Sequence, residues 1–219
     1  MTSQLKELTP YFARPLPVIL LADVSGSMAT DGKIDALNQS VREMLATFAS
    51  SDDLLAEIHV SIITFGGEAR IHVPIQPARA IKWSDMGADG GTPMGQAMNL
   101  AADLVEDKGK IPARAFRPTV VLISDDHPTD SWKIGLDRIT KQGRAQMADR
   151  MALAIGGDAD TEMLRQFLND DKKPLFLAAD ARRIKDFFRF VAMSVTTRSR
   201  SANPNALPQM QNPFDLDRL

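Results

Sequence analysis

The sequence predicts an α/β protein built on a doubly wound, mostly parallel open sheet with helices on both faces. Two apolar runs, residues 17–22 and 118–124, have the length and composition of strands that are buried on both faces. After the first run, Ile34, Leu37 and Val41 begin a stripe at helical spacing. Because strands and amphipathic helices alternate in this way along the chain, we expect right-handed crossovers between parallel strands.

The remaining elements continue this alternation. Further strands are predicted at 57–65, 70–75, 151–155 and 174–178, and helices at 34–48, 94–105, 131–142 and 161–168, with a last helix that starts after Asp180. Gly66 and Gly67 leave too short a connection for a crossover, so residues 70–75 are expected to pair antiparallel with the preceding strand. Pro74 cannot donate to a strand ladder, which places that strand at an edge.

The composition fits one domain of 219 residues and excludes several classes of function. A net charge of −2 provides no basic field for nucleic acid or an anionic membrane. The absence of cysteine excludes disulfides, iron–sulfur clusters and thiolate zinc sites. Neither a basic-then-apolar leader nor a run of roughly 20 apolar residues is present. We therefore expect a cytoplasmic protein.

The first apolar strand ends in a carboxylate and two hydroxyls, Asp23, Ser25 and Ser27. In near-extended backbone, residues two apart project to the same side, so three oxygen donors converge at the carboxyl end of a central strand. That edge is where ligands bind in open α/β sheets. Hard oxygen donors suit Mg²⁺, Mn²⁺ or Ca²⁺. Taken alone, however, such a segment is equally typical of an ordinary turn.

Two further loops add to this pattern. Thr92 stands between Gly90-Gly91 and a helix that begins near Pro93, where it could simply be the helix N-cap. Asp125 ends the second buried-type strand, in the run Ser-Asp-Asp-His-Pro-Thr-Asp of residues 124–130.

Together these segments resemble the metal-ion-dependent adhesion site (MIDAS) of von Willebrand factor A (vWA) domains. That family has Asp-x-Ser-x-Ser after the first strand, a Thr in a second loop and an Asp after the fourth strand. Here the matching residues are Asp23, Ser25, Ser27, Thr92 and Asp125, in the family's order. The sequence that flanks these motifs is most similar to that of the bacterial TerY/YegL-like branch, which is associated with tellurium-resistance and stress-response gene clusters. The resemblance implies strand order 3-2-1-4-5-6 and covers residues 15–196, the expected vWA domain, after a lead-in at 1–14. Residues 197–219 have little apolar surface to bury, so we expect a flexible tail there.

By the same resemblance, the chain is expected to be a metal-dependent protein-interaction module and not an enzyme. The five residues would hold Mg²⁺, or Mn²⁺ or Ca²⁺, and an Asp or Glu of a partner protein would complete the coordination sphere. The TerY-like branch is encoded beside a protein kinase and a PP2C-type phosphatase, which are candidate partners.

Two other functions remain open. Asp-based phosphohydrolases also place an Asp after a first buried strand with Mg²⁺ beside it. Such enzymes usually carry a second Asp two residues later, whereas this chain has Ser25, and no suitably placed lysine is evident in the sequence. A vWA adaptor of an AAA+ ATPase is the third possibility.

The loop after Asp125 departs from the family pattern, which usually has Gly next. Here Asp126 and His127 follow. Gly permits a positive φ, and Asp tolerates it better than most residues do. We expect Asp126 to point to solvent, although a position near the ion is the alternative. His127 is expected to be exposed. Asp130 is expected to support the metal ligands from behind, to be solvated, or to cap the next helix.

Overall fold

A computed structural model describes residues 13–51 and 55–206. Its core is a single six-stranded sheet in the order β3-β2-β1-β4-β5-β6. The strands are β1 (Arg14–Asp23), β2 (Ala56–Gly66), β3 (Glu68–Pro77), β4 (Thr119–Ser124), β5 (Asp149–Ile155) and β6 (Phe176–Ala178). β2 and β3 are antiparallel, and every other neighbouring pair is parallel. The predicted fold class, strand order and antiparallel edge strand are therefore confirmed.

Five helices cover the two faces of the sheet. They are α1 (Lys33–Ala49), α2 (Met94–Glu106), α3 (Trp132–Lys141), α4 (Thr161–Leu168) and α5 (Ala181–Arg200). Successive residues of β1 enter opposite cores: Val18 and Leu20 pack with α1 and α5, whereas Ile19 and Leu21 pack with α2, α3 and α4. This division explains why the strand is apolar at every position, because a strand covered on both faces has no solvent side.

Two helix starts follow the sequence closely. The Asp160 side chain accepts a hydrogen bond from the Met163 amide at 3.0 Å and caps α4. Asp180 caps α5 in the same way through the Arg183 amide, also at 3.0 Å. In both helices an Asp at the N-cap thus satisfies an amide of the first turn.

The C-terminal boundary differs from the prediction. We expected a flexible tail from 197, but α5 continues to Arg200, and Arg198 is buried. Its guanidinium donates to the Thr119 hydroxyl at 2.5 Å, to the Arg117 carbonyl at 2.7 Å and to the Pro204 carbonyl at 2.9 Å. These bonds hold the last helical turn against the start of β4, although the local sequence reads as polar.

The rest of that tail cannot be compared with the structure. Residues 207–219 lie outside the described part of the chain. The same applies to residues 1–12 of the predicted lead-in. Within 13–51 and 55–206, no helix combines the length and apolar character needed to cross a bilayer.

Candidate metal centre

The candidate centre forms where β1 and β4 end side by side. Ala22 pairs with Ile123 in the parallel register of these strands, so Asp23 and Asp125 leave the sheet as neighbours. A 3₁₀ turn at Gly26–Ala29 then redirects the chain toward α1. The site therefore lies at the switch point of the sheet, between strands whose crossovers run in opposite directions.

A chain of hydrogen bonds joins four of the five predicted residues. The Ser25 and Ser27 hydroxyl oxygens are 2.9 Å apart. The Ser27 hydroxyl donates to Asp125 Oδ1 at 2.7 Å, and the Ser25 amide donates to Asp23 Oδ1 at 2.9 Å. Two carboxylates and two hydroxyls from loops 98 residues apart in sequence are thus in direct contact.

Ser124 adds a contact that the sequence did not single out. Its hydroxyl donates to Asp23 Oδ2 at 2.5 Å, and both residues are fully buried. Both Asp23 oxygens therefore accept a hydrogen bond, which fixes the orientation of the carboxylate. The signal was present in the sequence, since a hydroxyl residue directly precedes Asp125 at a strand end.

Thr92 is brought beside this cluster by backbone bonds between loops. The Asp89 amide donates to the Val24 carbonyl at 2.8 Å, and the Gly26 amide donates to the Gly90 carbonyl at 2.9 Å. Gly90 has a φ of +75°, and a Cβ there would lie 2.5 Å from Gly67, so no larger residue fits. Thr92 itself is buried at this junction.

The loop after β4 holds Thr92 from the other side. The Thr92 amide donates to the Thr129 hydroxyl at 2.9 Å, and the Thr129 amide donates to the Thr92 carbonyl at 2.9 Å. Asp130 accepts from the amides of Gly95 and Gln96, each at 2.9 Å.

These contacts correct two expectations. Thr92 is not the N-cap of α2, because Pro93 occupies that position. Asp130 is not the cap of α3, where Ser131 takes that position, and it supplies acceptors for the first turn of α2 instead. Thr92 therefore has no capping role to explain its place at the site.

Burial raises the pKa of Asp23 from 3.8 to about 6. Loss of hydration disfavours the charged form, and the nearby Asp125 carboxylate acts in the same direction. Hydrogen bonds from Ser124 and Ser25 oppose the shift but do not cancel it. A buried carboxylate with a raised pKa is stabilised in its charged form when a cation is placed beside it.

Lys33 is the main residue that the sequence reasoning missed. Its ammonium lies 2.7 Å from Asp125 Oδ2, and the side chain is only 20% exposed. No lysine near the site was evident in the sequence, and the structure brings Lys33 to Asp125. Lys33 is the first residue of α1, where a positive charge opposes the helix dipole. That unfavourable position was the available signal.

Asp126 stands where the family usually has Gly, and the loop accommodates it. Asp126 does not have a positive φ, so Gly is not required there, and its carboxylate accepts from the His127 amide at 2.7 Å. Asp126 is half-buried and turned to its own loop. His127 is 68% exposed, as expected, and its Nδ1 lies 3.2 Å from a carboxylate oxygen of Asp160.

The donor set fits a hard divalent cation bound largely through hydroxyls. Within 13–51 and 55–206, no three His, Cys, Asp or Glu side chains are placed to hold a metal ion. The candidate centre has only two carboxylates, so any metal there would depend on Ser25, Ser27 and Thr92 as well. Neutral hydroxyl and carboxylate oxygens are ligands that Mg²⁺, Mn²⁺ and Ca²⁺ accept.

The comparisons with known proteins assign the family. The model of the von Willebrand factor type A domain matches residues 18–190, and the chain therefore belongs to this family. A comparison with curated protein sequences finds no match.

Solved structures share the fold at low sequence identity. The von Willebrand factor type A protein from Catenulispora acidiphila has a TM-score of 0.64 at 16% identity, over 83% of this chain and 42% of that one. The pilus adhesin SpaC from Lactobacillus rhamnosus GG has a TM-score of 0.65 at 16% identity, over 85% and 30%. Proximal thread matrix protein 1 of the mussel byssus, with a zinc-occupied MIDAS motif, has a TM-score of 0.61 at 12% identity, over 82% and 47%. This chain thus spans less than half the length of these structures.

Proposed function

We propose that this vWA domain is a metal-dependent protein-interaction module. In this proposal Ser25, Ser27 and Thr92 bind a divalent ion, Mg²⁺ in the first place, with Asp23 and Asp125 beside it. A carboxylate from another protein completes the coordination sphere.

One observation carries the proposal. Asp23, Ser25, Ser27 and Asp125 form one hydrogen-bonded cluster at the switch point of the sheet, with Thr92 fixed in the adjoining loop. The fold already requires turns at these strand ends, but it does not require two buried carboxylates in contact with two hydroxyls. Burying such charges costs free energy unless a cation or hydrogen bonds compensate for it. The zinc-occupied MIDAS of the mussel protein supports the use of this position for a metal in a related fold.

The chemistry of the donors explains the choice of partner. A divalent ion bound mainly through neutral hydroxyls keeps much of its positive charge and supplies a site for an anionic oxygen. Asp23 and Asp125 orient the hydroxyls and balance part of that charge. The complement is a side-chain carboxylate of Asp or Glu, and no covalent step is needed.

A phosphohydrolase is the second candidate, because Lys33 pairs with Asp125 at the site. In phosphoryl transfer a cation in such a position could stabilise the negative charge of the phosphoryl group. Two observations weigh against it. Asp23 is fully buried with both oxygens accepting hydrogen bonds, so its carboxylate is shielded from a substrate in solution. The position two residues later is Ser25 and not an acid. We therefore propose a non-enzymatic role.

We propose a cellular context from the resemblance of the motif-flanking sequences to the TerY/YegL-like branch. A bacterial, cytoplasmic scaffold in a stress-response or tellurium-resistance system, acting with a protein kinase and a PP2C-type phosphatase, fits a chain with no cysteine and no basic surface field. The acidic partner residue would then lie on one of those proteins.

The test combines metal binding with partner capture. We expect calorimetric titration with MgCl₂ to give binding for the wild type and none for Ser25→Ala. Capture of proteins from a lysate should be lost both with EDTA and in that variant. For an identified partner, removing the ion and removing its acidic side chain should cause losses that do not add, because each destroys the same bond. Capture that survives EDTA and Ser25→Ala would contradict the proposal. Release of phosphate from a chromogenic ester in the presence of Mg²⁺ would favour the hydrolase instead.

A further inference from the structure

The ion pair between Lys33 and Asp125 is not explained by the needs of the fold. Lys33 opens α1, where a cation is disfavoured by the partial positive charge of the helix N-terminus. The chain reaches this position through two left-handed residues, Asp31 with φ +55° and Gly32 with φ +68°. Asp and Gly both tolerate this region better than most residues do, so the turn itself is not strained. The turn places the ammonium at the metal centre, and only its position at the start of the helix runs against local preference.

The pair also occupies the carboxylate that the metal would need. Asp125 Oδ1 accepts from the Ser27 hydroxyl at 2.7 Å, and Oδ2 accepts from Lys33 Nζ at 2.7 Å. The Asp125 side chain is completely shielded from solvent. In this arrangement the ammonium supplies the positive charge that a divalent ion would otherwise bring.

We propose that Lys33 is a tethered competitor of the divalent ion for Asp125. Without metal, the ammonium neutralises the buried carboxylate and holds the centre together. Binding of the ion displaces the ammonium from Asp125, so the lysine sets the metal concentration at which the site becomes competent for its partner. This inference rests on the proposed metal-binding function and adds its regulation.

A cavity beside the centre can receive the displaced ammonium. It has a volume of about 260 Å³, and Lys33 and Asp125 both line it. Three acidic residues, Asp31, Asp158 and Asp180, also line it. The flexible four-carbon stem of lysine allows the ammonium to turn from Asp125 toward these groups without moving α1. The displaced state therefore keeps the ammonium next to negative charge.

The size of the effect follows from the charges. The Lys33 ammonium lies 2.7 Å from Asp125, and a unit charge this close to a carboxylate changes a binding constant by about tenfold or more even at a high effective dielectric constant. A divalent ion that approaches the same carboxylate is opposed by this charge. Removing the charge of Lys33 should therefore tighten Mg²⁺ binding by about tenfold or more.

The first experiment is calorimetric titration with MgCl₂ of the wild type and three variants. Lys33→Met removes the charge and keeps the stem, whereas Lys33→Arg keeps a cation. Lys141→Met is the matched control, because it removes one lysine charge from a surface pair with Asp137 at 2.7 Å. Each variant is checked for folding by circular dichroism.

We expect Lys33→Met to bind Mg²⁺ about tenfold or more tightly, with Lys33→Arg and Lys141→Met within about threefold of wild type. A merely structural lysine would give the opposite sign, since its loss would loosen the centre. Equal or weaker binding by Lys33→Met overturns the inference while the wild type still binds. If neither the wild type nor any variant binds Mg²⁺, the proposed function fails and this inference fails with it.

A second measurement uses the wild type alone and so does not depend on the folding of a variant. The rate of reductive methylation of each lysine amine is followed by mass spectrometry with and without MgCl₂. Lys33 should react several-fold faster when Mg²⁺ is present, because its amine leaves the pair with Asp125. Lys141, which is 65% exposed, should be unchanged. A Lys33 rate that stays constant or falls on adding Mg²⁺ refutes the competition.

Discussion

Replacing Asp23 by Asn should change how the stability of the metal-free protein depends on pH. The pKa of Asp23 rises from 3.8 to about 6 on folding. A group whose pKa is higher in the folded state favours folding when protonated, so its contribution is fully present below pH 3.8 and is lost as the pH rises through 6. Each pKa unit corresponds to about 1.4 kcal/mol, and the total loss is therefore about 3 kcal/mol.

About half of that loss, ~1.4 kcal/mol, is expected between pH 5 and pH 7.5. Asn has nearly the same shape and cannot ionise, so Asp23→Asn should lack this part of the pH dependence. At pH 7.5 in EDTA the variant should be more stable than the wild type by about 1–2 kcal/mol, since the gain is reduced by imperfect hydrogen bonds to Ser25 and Ser124. The same variant should lose Mg²⁺ binding.

The measurement is urea unfolding at intervals from pH 5 to pH 7.5, in EDTA, for both proteins. The difference in free energy of unfolding between them is the informative quantity, because all other titrating groups cancel. Asp137→Asn is the matched control, as that carboxylate is 51% exposed on α3, and its curve should run parallel to the wild type. Parallel curves for Asp23→Asn as well would show that the buried carboxylate carries no penalty and would refute the reasoning.

Three further predictions concern the loops and the last helix. Thr92→Ala should weaken Mg²⁺ binding at least about tenfold in calorimetry while the urea midpoint changes little; unchanged affinity would remove Thr92 from the site. Asp130→Ala leaves the Gly95 and Gln96 amides without their acceptor, so the free energy of unfolding should fall by about 0.5–2 kcal/mol. Arg198→Met should cost at least about 2 kcal/mol in the same assay, because the Thr119 hydroxyl and two carbonyls lose a buried donor. A loss below half of that value would mean that water replaces the guanidinium.

The parts of the fold that follow from local periodicity could be predicted from the sequence. α4 begins and ends at the predicted residues, 161 and 168. β3 was placed at the edge from Pro74 alone, and the structure puts it there. The end of α5 could not be predicted in this way. In the sequence Arg198 looks like an exposed polar residue. Its bonds to Thr119 and Arg117 explain why it is buried.

In the candidate centre, too, the local features could be predicted from the sequence and the contacts between distant residues could not. The spacing of Asp23, Ser25 and Ser27 is local, so their convergence was visible in the sequence. The pair of Lys33 with Asp125 joins residues 92 positions apart, and a lysine is usually solvated, so the only local signal was a cation at the start of a helix. Thr129 was likewise hidden, because its contact with Thr92 depends on how two loops meet above the sheet.

The bonds from Thr129 and Asp130 to Thr92 and the start of α2 restrict how this protein can vary. They clamp the loop between β4 and α3 onto a loop 35 to 37 residues earlier in the chain. An insertion or deletion within residues 126–131 would move Thr129 and Asp130 relative to β4, and Thr92 would lose its support even though its own loop is unchanged. Length changes should therefore be tolerated poorly here, although surface loops usually accept them. A change in the length of one loop therefore requires a compensating change in the other loop.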